Sequence, residues 1–314
     1  MPITFAKFIE KIRKERDLTQ QETLELLIDS DPALFKLDLT TFSRWERGVT
    51  IPKLSKQLAI ARILGEDVAP LINPEAQATL KQQNSFDKIK NRVRNPYLAK
   101  SGDLNYRHYE QLLNQPDLCQ QIATFHLDYL EMAINAETIQ TSKLLLHTYQ
   151  DSLSTLVGHF LYGFVPSDTQ TSLLSPDQLS HCPFTHSENT LKQHVDMYVV
   201  STFSTLSIPR MVSILKILDT LRQNTLVKNL VINCHDQEGY NLYDTISECV
   251  VLSKGREIPF GGVKLFGKHY KYVQVKMSAE NILSSKVVSS LVPSTDEYIR
   301  ELLGLDYDTK PFKR

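Results

Sequence analysis

Thr40-Thr41-Phe42-Ser43-Arg44-Trp45-Glu46-Arg47-Gly48 is the stretch that decides the fold of the first part of this chain of 314 residues. Asp38 precedes it as a residue suited to cap a helix, and Gly48 follows it as a residue suited to end one. Phe42 and Trp45 fall on one side of such a helix, which we expect to be buried. The opposite side carries Leu39, Thr40, Ser43 and Arg44. The pattern therefore predicts a short helix that exposes a polar flank.

Further helices are predicted on both sides of this stretch. The first has apolar residues at three-and-four spacing, namely Phe5, Phe8, Ile9 and Ile12. Thr19 is suited to cap the second, which places Gln20 and Gln21 in a first turn where exposed amides and the positive helix end can contact a phosphate. Pro52 can start the helix after Gly48, with an inward stripe of Leu54, Leu58 and Ala61. We therefore expect a compact unit of four to five helices.

These residues resemble the Cro/phage-repressor (XRE) helix-turn-helix family over roughly residues 4–70. The resemblance implies an α-helical N-terminal domain, residues 1–70, that binds double-stranded DNA. It implies that Leu39, Thr40 and Arg44 face base edges, that Gln20 contacts phosphate, and that Arg13 pairs with Glu46 to support the fold. The predicted DNA-binding residues are Gln20, Gln21, Leu39, Thr40, Thr41, Ser43, Arg44 and Arg47.

The chain departs from the family pattern in its second helix and in the turn that follows. The family usually has a small residue where Leu24 stands, and a turn of about three residues where this chain has the segment from Ile28 to Asp38. This longer turn contains the apolar residues Leu34, Phe35 and Leu37. We expect it to repack beside the third helix or to lie against a second domain.

Length and composition indicate an ordinary globular protein with two domains. Hydrophobic residues make up 41% and charged residues 23% of the chain. No cleavable signal pattern or membrane-spanning run is recognised, so a cytoplasmic protein that does not contact a membrane is expected. Cys119, Cys182, Cys234 and Cys249 are scattered and are expected to be reduced. Cys182 lies near His181, His186 and His194, but the spacing matches no strong zinc pattern, so no metal is predicted.

The most basic part of the chain follows the helical region. Between Lys81 and Arg107 there are seven basic residues and only two acidic residues, Asp87 and Asp103. We interpret residues 71–94 as a basic linker. It either lies near the DNA backbone, where it strengthens salt-dependent binding, or it is a solvated connector.

Residues 95–314 are predicted to form a larger α/β domain for sensing or dimerisation, built on a mixed sheet. Helices are expected around Tyr106–Leu113, Leu118–Ala133, Ser142–Leu146, Pro209–Arg222 and Tyr240–Ile246. Strands are expected at Leu153–Phe164, Val195–Phe203 and Leu226–Asn233, with Glu248–Ser253 and Tyr270–Val275 as arms of a hairpin.

This order of elements resembles the GNAT acetyltransferase fold over roughly residues 95–280. In that family a glycine-bearing loop holds the pyrophosphate of the coenzyme, whereas the loop from Ser204 to Ser213 has no glycine and contains Pro209. Tyr243 falls where such enzymes often keep a tyrosine acid, but packing is the commoner role of a buried tyrosine. His126, His147 and His159 lie in apolar stretches and are interpreted as structural. No catalytic residue, no cofactor and no enzymatic activity are therefore predicted.

The sequence thus favours a sequence-specific transcriptional regulator whose C-terminal domain forms a homodimer, senses a small-molecule or peptide effector, or does both. Two alternatives stay open. The first is a DNA-tethered acyltransferase of GNAT type, and the second is an antitoxin-like DNA-binding protein with a protein partner.

Overall fold

The computed structural model describes residues 3–72, 104–186 and 193–305. The basic linker predicted for residues 71–94 lies outside these ranges except for its first two residues. Within the described ranges, none of the helices combines the length and the apolar character that crossing a bilayer requires.

The N-terminal region is helical. It contains α1 (Phe5–Glu15), α2 (Gln20–Ser30), α3 (Leu39–Glu46) and α4 (Leu54–Ile63), with short 3₁₀ helices at Pro32–Leu34 and Ala69–Leu71. The predicted caps are present: Thr19 forms a capping box with Glu22, and the Asp38 carboxylate accepts from the N–H of Thr41. Gly48 adopts a φ of 71°, which ends α3. The prediction that Pro52 starts the next helix is wrong by two residues, because α4 begins after Lys53.

The larger region is built on a sheet of seven strands in the order β1-β2-β3-β4-β5-β10-β6. Their bounds are β1 Asn105–Tyr109, β2 Leu145–Gln150, β3 Leu156–Pro166, β4 Val195–Ser204, β5 Val227–Cys234, β6 Val250–Lys254 and β10 Val273–Ser278. β4 and β5 pair in parallel and the other neighbours are antiparallel, so the predicted mixed sheet is confirmed. A small separate sheet contains β7 (Glu257–Ile258), β8 (Val263–Leu265) and β9 (Lys268–Tyr270).

Helices cover both faces of the seven-stranded sheet. They are α5 (Pro116–Phe125), α6 (Ala136–Thr141), α7 (Ser207–Gln223), α8 (Gln237–Ile246), α9 (Ala279–Leu283) and α10 (Thr295–Leu303). One core contains the buried residues of α5 and α6, and the other contains those of α7 to α10 together with the N-terminal helices. These layers agree with an α/β architecture.

Two predicted helices are corrected by the structure. Residues 105–109 form an edge strand instead of the start of a helix at Tyr106, because their main chain pairs with β2. The segment Ser142–Leu146 is also not helical, since α6 ends at Thr141 and β2 begins at Leu145. In the predicted hairpin, the antiparallel pairing of β6 with β10 is confirmed, but Tyr270 belongs to β9.

The helical region is docked on the sheet region through a buried arginine. Arg62 on α4 is 4% exposed, and its guanidinium donates to the main-chain oxygens of Leu221 and Val227. Its Nε also donates to Oε1 of Glu280 at 2.9 Å. Burial lowers the pKa of Arg62, and the carboxylate of Glu280 opposes that shift. A second ion pair joins Asp67 to Arg222 at 2.7 Å.

Candidate functional site

The third helix presents the polar flank that the sequence predicts. Phe42 is fully buried and Trp45 is 7% exposed, whereas Leu39 on the opposite side is 42% exposed. Thr40, Arg44 and Arg47 are exposed, and Thr41 and Ser43 are half-buried. The side chain of Thr41 is bonded to the capping carboxylate of Asp38, so it supports the start of the helix. The free part of this flank therefore centres on Thr40 and Arg44.

A buried carboxylate fixes the orientation of α3. Glu46 is 8% exposed, and its Oε1 accepts from Nε of Arg13 at 2.7 Å, which is the pair that the resemblance implies. Its Oε2 accepts from the side-chain amide of Gln20. Arg13 also donates to the main-chain oxygen of Leu18 at 2.9 Å. Because these residues belong to α1, α2 and α3, the network holds the three helices in one arrangement.

This network changes the role expected for the two glutamines at the start of α2. Gln20 is half-buried and its amide is engaged by Glu46, so the predicted phosphate contact is not available to that amide in this arrangement. Gln21 is exposed, and its amide donates to Glu25 on the next turn at 2.7 Å. Gln21 is therefore the member of the pair that faces outward.

The long segment after α2 contacts both regions of the protein. It contains the last turn of α2 and a 3₁₀ helix. Leu34 is buried in the core, but Phe35 is 62% exposed. Asp31 lies 3.8 Å from Nζ of Lys228 on β5. The expectation that this segment lies against the second region is thus supported at Asp31.

A cleft opens between the two parallel strands of the sheet. β4 and β5 pair only as far as Val199 and Ile232, although β4 continues to Ser204 and β5 to Cys234. Two cavities, of about 110 and 90 Å³, lie beyond that point. They share five lining residues, which are Thr202, Phe203, Asp236, Gly239 and Tyr243. The cleft lies at the carboxyl ends of parallel strands, a common ligand position in open α/β sheets.

The loop between β4 and α7 borders this cleft without offering the open backbone of a phosphate site. The N–H of Leu206 donates to Oγ of Ser204 at 3.0 Å, and Nε of Arg210 donates to the main-chain oxygen of Ser204 at 2.7 Å. Pro209 occupies the first turn of α7 and has no N–H. Tyr243 lines both cavities, and burial raises the pKa of its phenol.

Three histidines lie near the cleft, of which His126 and His159 are buried and His235 is half-buried. Nε2 of His159 lies 2.9 Å from Oγ of Ser201, and burial lowers the pKa of His159 to about 3. His126 lies at the start of a π-helical turn and is adjacent to His159, with ring centroids 5.8 Å apart. His235 follows β5 and lines the smaller cavity. Sequence reasoning missed His235 because it stands alone in the chain, and only the fold brings it close to the others.

A further cavity, of about 390 Å³ and with a polar lining, lies between the outer strands and α7. Nδ1 of His147 lies 2.6 Å from the hydroxyl of Tyr106, and the ring of His147 stacks on that of His108 at 4.2 Å. Burial lowers the pKa of both histidines. The interpretation of His147 as a structural residue agrees with these contacts.

The cysteines are unpaired in the described ranges, and Cys182 is buried. No group of three or more His, Cys, Asp or Glu side chains in these ranges is arranged to hold a metal ion. Burial raises the pKa of Cys182 to about 12, so its thiol stays protonated at neutral pH.

Comparison with known proteins gives little further guidance. No family model matches the chain, and no curated protein matches it significantly. Two crystal structures of TofI match 61% of this chain and 99% of their own. TofI in a ternary complex with an inhibitor and MTA is 9% identical with a TM-score of 0.33, and its apo form is 8% identical with a TM-score of 0.34. TM-scores of this size are too low to support an inference about function.

Proposed function

We propose that this protein is a sequence-specific DNA-binding regulator of the XRE helix-turn-helix type. The observation that carries the proposal is the exposed flank of α3, which the buried pair of Arg13 and Glu46 holds in place. A reading helix has to present a rigid polar surface, since base-edge hydrogen bonds tolerate little displacement. Helix α3 has this property although it contains only 8 residues.

The exposed residues have the chemistry that DNA reading requires. The guanidinium of Arg44 can donate two parallel hydrogen bonds to O6 and N7 of guanine in the major groove. The hydroxyls of Thr40 and Ser43 and the apolar surface of Leu39 suit further contacts to base edges, including a thymine methyl group. Gln21 and Arg47 face outward beside them and suit the phosphate backbone, where they position the helix without specifying sequence.

Dimerisation is part of the proposal because one helix of this size reads few base pairs. Helix-turn-helix proteins usually bind as dimers to half-sites about one helical turn apart. We propose that the sheet region supplies the contact between two copies and carries an effector site.

Selection of bound sequences from random double-stranded DNA tests this function. A two-fold symmetric site with half-sites about 10 base pairs apart, centre to centre, is expected. Sedimentation of the selected duplex with the protein gives the number of copies bound, which we expect to be two. Failure to enrich any sequence at low salt would contradict the proposal, since nonspecific attraction to phosphates alone enriches none.

We propose, as a second candidate, that the sheet region is GNAT-like and that the protein is an acyltransferase tethered to DNA. The strand order, the single parallel pair and the divergence of that pair support this candidate, because they place a cleft beside the Ser204–Ser213 loop. The contact of Arg210 with Ser204 weakens it by filling the place where phosphates would approach the backbone. Calorimetry with acetyl-CoA distinguishes the two, because tight binding is expected only of the acyltransferase. The antitoxin-like alternative gains no specific support and stays a prediction.

A further inference from the structure

Two histidines beside the sheet cleft have buried nitrogens with no hydrogen-bond partner in the described part of the chain. These nitrogens are Nδ1 and Nε2 of His235 and Nε2 of His126. A buried polar atom without a partner costs free energy, because its hydrogen bond to water is lost and not replaced. Such atoms are rare in folded proteins, so three of them on two histidines call for a cause.

The tautomer of His126 follows from its one contact. Nδ1 lies 2.7 Å from the main-chain oxygen of Ile122, which can only accept, so Nδ1 carries the proton. Nε2 of the neutral ring is therefore a free acceptor. His235 offers one donor and one acceptor when neutral, and burial lowers its pKa to about 3. His235 alone can therefore both donate to and accept from a third molecule.

The residue with two unpartnered nitrogens, His235, lies at a cavity. His235 lines the smaller cavity of the cleft, and the π-helical turn that begins at His126 contributes Tyr129 and Leu130 to the same wall. Isolated π-helical turns are frequent at functional sites. This cavity shares the wall residues Phe203 and Tyr243 with the neighbouring cavity of about 110 Å³. The volumes of the two neighbouring cavities, about 110 and 90 Å³, together exceed the roughly 150 Å³ of an apolar cavity that holds benzene, so the cleft has the scale of a ring-sized molecule.

The walls of the cleft define the class of the ligand. The rings of Tyr129 and Phe203 lie 5.1 Å apart, edge to face, and offer aromatic surface. The carboxylate that lines both cavities, Asp236, already accepts from the N–H of Gly239 as the cap of α8. Arg210 and Glu238, the other charged residues of the larger cavity, pair with each other at 3.5 Å. Neutral imidazoles provide no counter-charge, so a charged ligand at His235 would be desolvated without compensation.

We propose that the cleft at His235 is a binding site for an uncharged aromatic small molecule that carries a hydrogen-bonding group. The ring of the ligand lies against Phe203, Tyr129 and Tyr243. Its polar group bonds to His235, whose neutral imidazole can both donate and accept. This site lies in the sheet region and does not depend on the α3 flank.

Phenol is the first probe, since it is an uncharged ring with one hydroxyl, and indole is the second. Binding is followed in the full chain by the imidazole signals of ¹⁵N-histidine in NMR spectra. We expect millimolar phenol to shift the His235 signal in a saturable manner, whereas benzoate, the charged analogue, does not. Absence of a saturable shift, or equal binding of benzoate, would overturn the proposal.

Substitution of His235 distinguishes the contribution of its hydrogen bond from that of the apolar cavity. His235→Phe should weaken phenol binding about tenfold, while binding of toluene, which has no polar group, is unchanged. His181→Phe, at an exposed histidine outside the cleft, should change neither. Unchanged phenol affinity in His235→Phe would contradict the role of His235. If His235→Phe does not fold, the phenol titration of the unaltered protein still tests the proposal. The His235 signal is then assigned as the one that is missing from the spectrum of His235→Gln.

Discussion

Arg62 on α4 donates from Nε to Oε1 of Glu280 on α9 at 2.9 Å, and its side chain is almost completely buried. The same guanidinium bonds to the main-chain oxygen of Val227, the first residue of β5. β5 leads from this contact to the cleft that His235 lines. The helical region is thus fastened to the strand whose far end borders the proposed ligand site.

Arg62→Ala should destabilise the protein by about 3–5 kcal/mol, because it leaves the Glu280 carboxylate without its partner. Denaturation in urea measures this change. The double variant Arg62→Met with Glu280→Leu should recover much of the loss, since an apolar pair of similar volume removes both charges. An Arg62→Ala protein as stable as the original would show that the guanidinium does not fasten the two regions.

Glu46→Ala should lower both stability and DNA affinity. Arg13 and Gln20 would lose the carboxylate that they share, at a cost of about 1–3 kcal/mol, and α3 would lose its fixed orientation. Glu25→Ala is the matched control on α2, because Glu25 is exposed and bonds only to Gln21 among the contacts described. Its expected effect on stability is within about 0.5 kcal/mol. If the DNA affinity of Glu46→Ala is unchanged, the hydrogen-bond network around Glu46 is not needed for DNA recognition by α3.

Much of the helical region was predictable from sequence, and the cleft was not. The caps Thr19 and Asp38 and the aromatic side of α3 are local signals, and the structure contains each of them. The edge strand at Tyr106 was missed because it depends on pairing with residues about forty positions later. The bond between Gln20 and Glu46 also joins residues distant in sequence. The residues around His235 lie on other elements, so no spacing pattern in the sequence identifies it as a site residue.

Stability should fall as the pH is lowered from 7 to 5. Burial lowers the pKa of both His159 and His235 to about 3, so they stay neutral in the folded protein. In the unfolded chain both imidazoles become protonated as the pH falls through about 6.5, and this proton uptake favours unfolding. Each histidine should thereby remove about 2 kcal/mol of stability at pH 5.

Urea denaturation at a series of pH values checks this prediction. The two histidines make the free energy of unfolding depend on pH, and His235→Phe should remove roughly half of their joint contribution. His181→Phe, at an exposed position, should leave it unchanged. A free energy of unfolding that is constant between pH 5 and 7 would show that neither imidazole is held neutral by the fold.

The most direct test of the central claim is the affinity of Arg44→Ala for the selected DNA site, compared with that of Lys11→Ala. Lys11 is an exposed lysine on α1, outside the proposed reading flank. Arg44→Ala is expected to lose about 1–3 kcal/mol on the selected site and to relax the preference at one base pair, whereas Lys11→Ala keeps that preference. Unchanged affinity and unchanged sequence preference in Arg44→Ala would contradict the claim that α3 reads DNA.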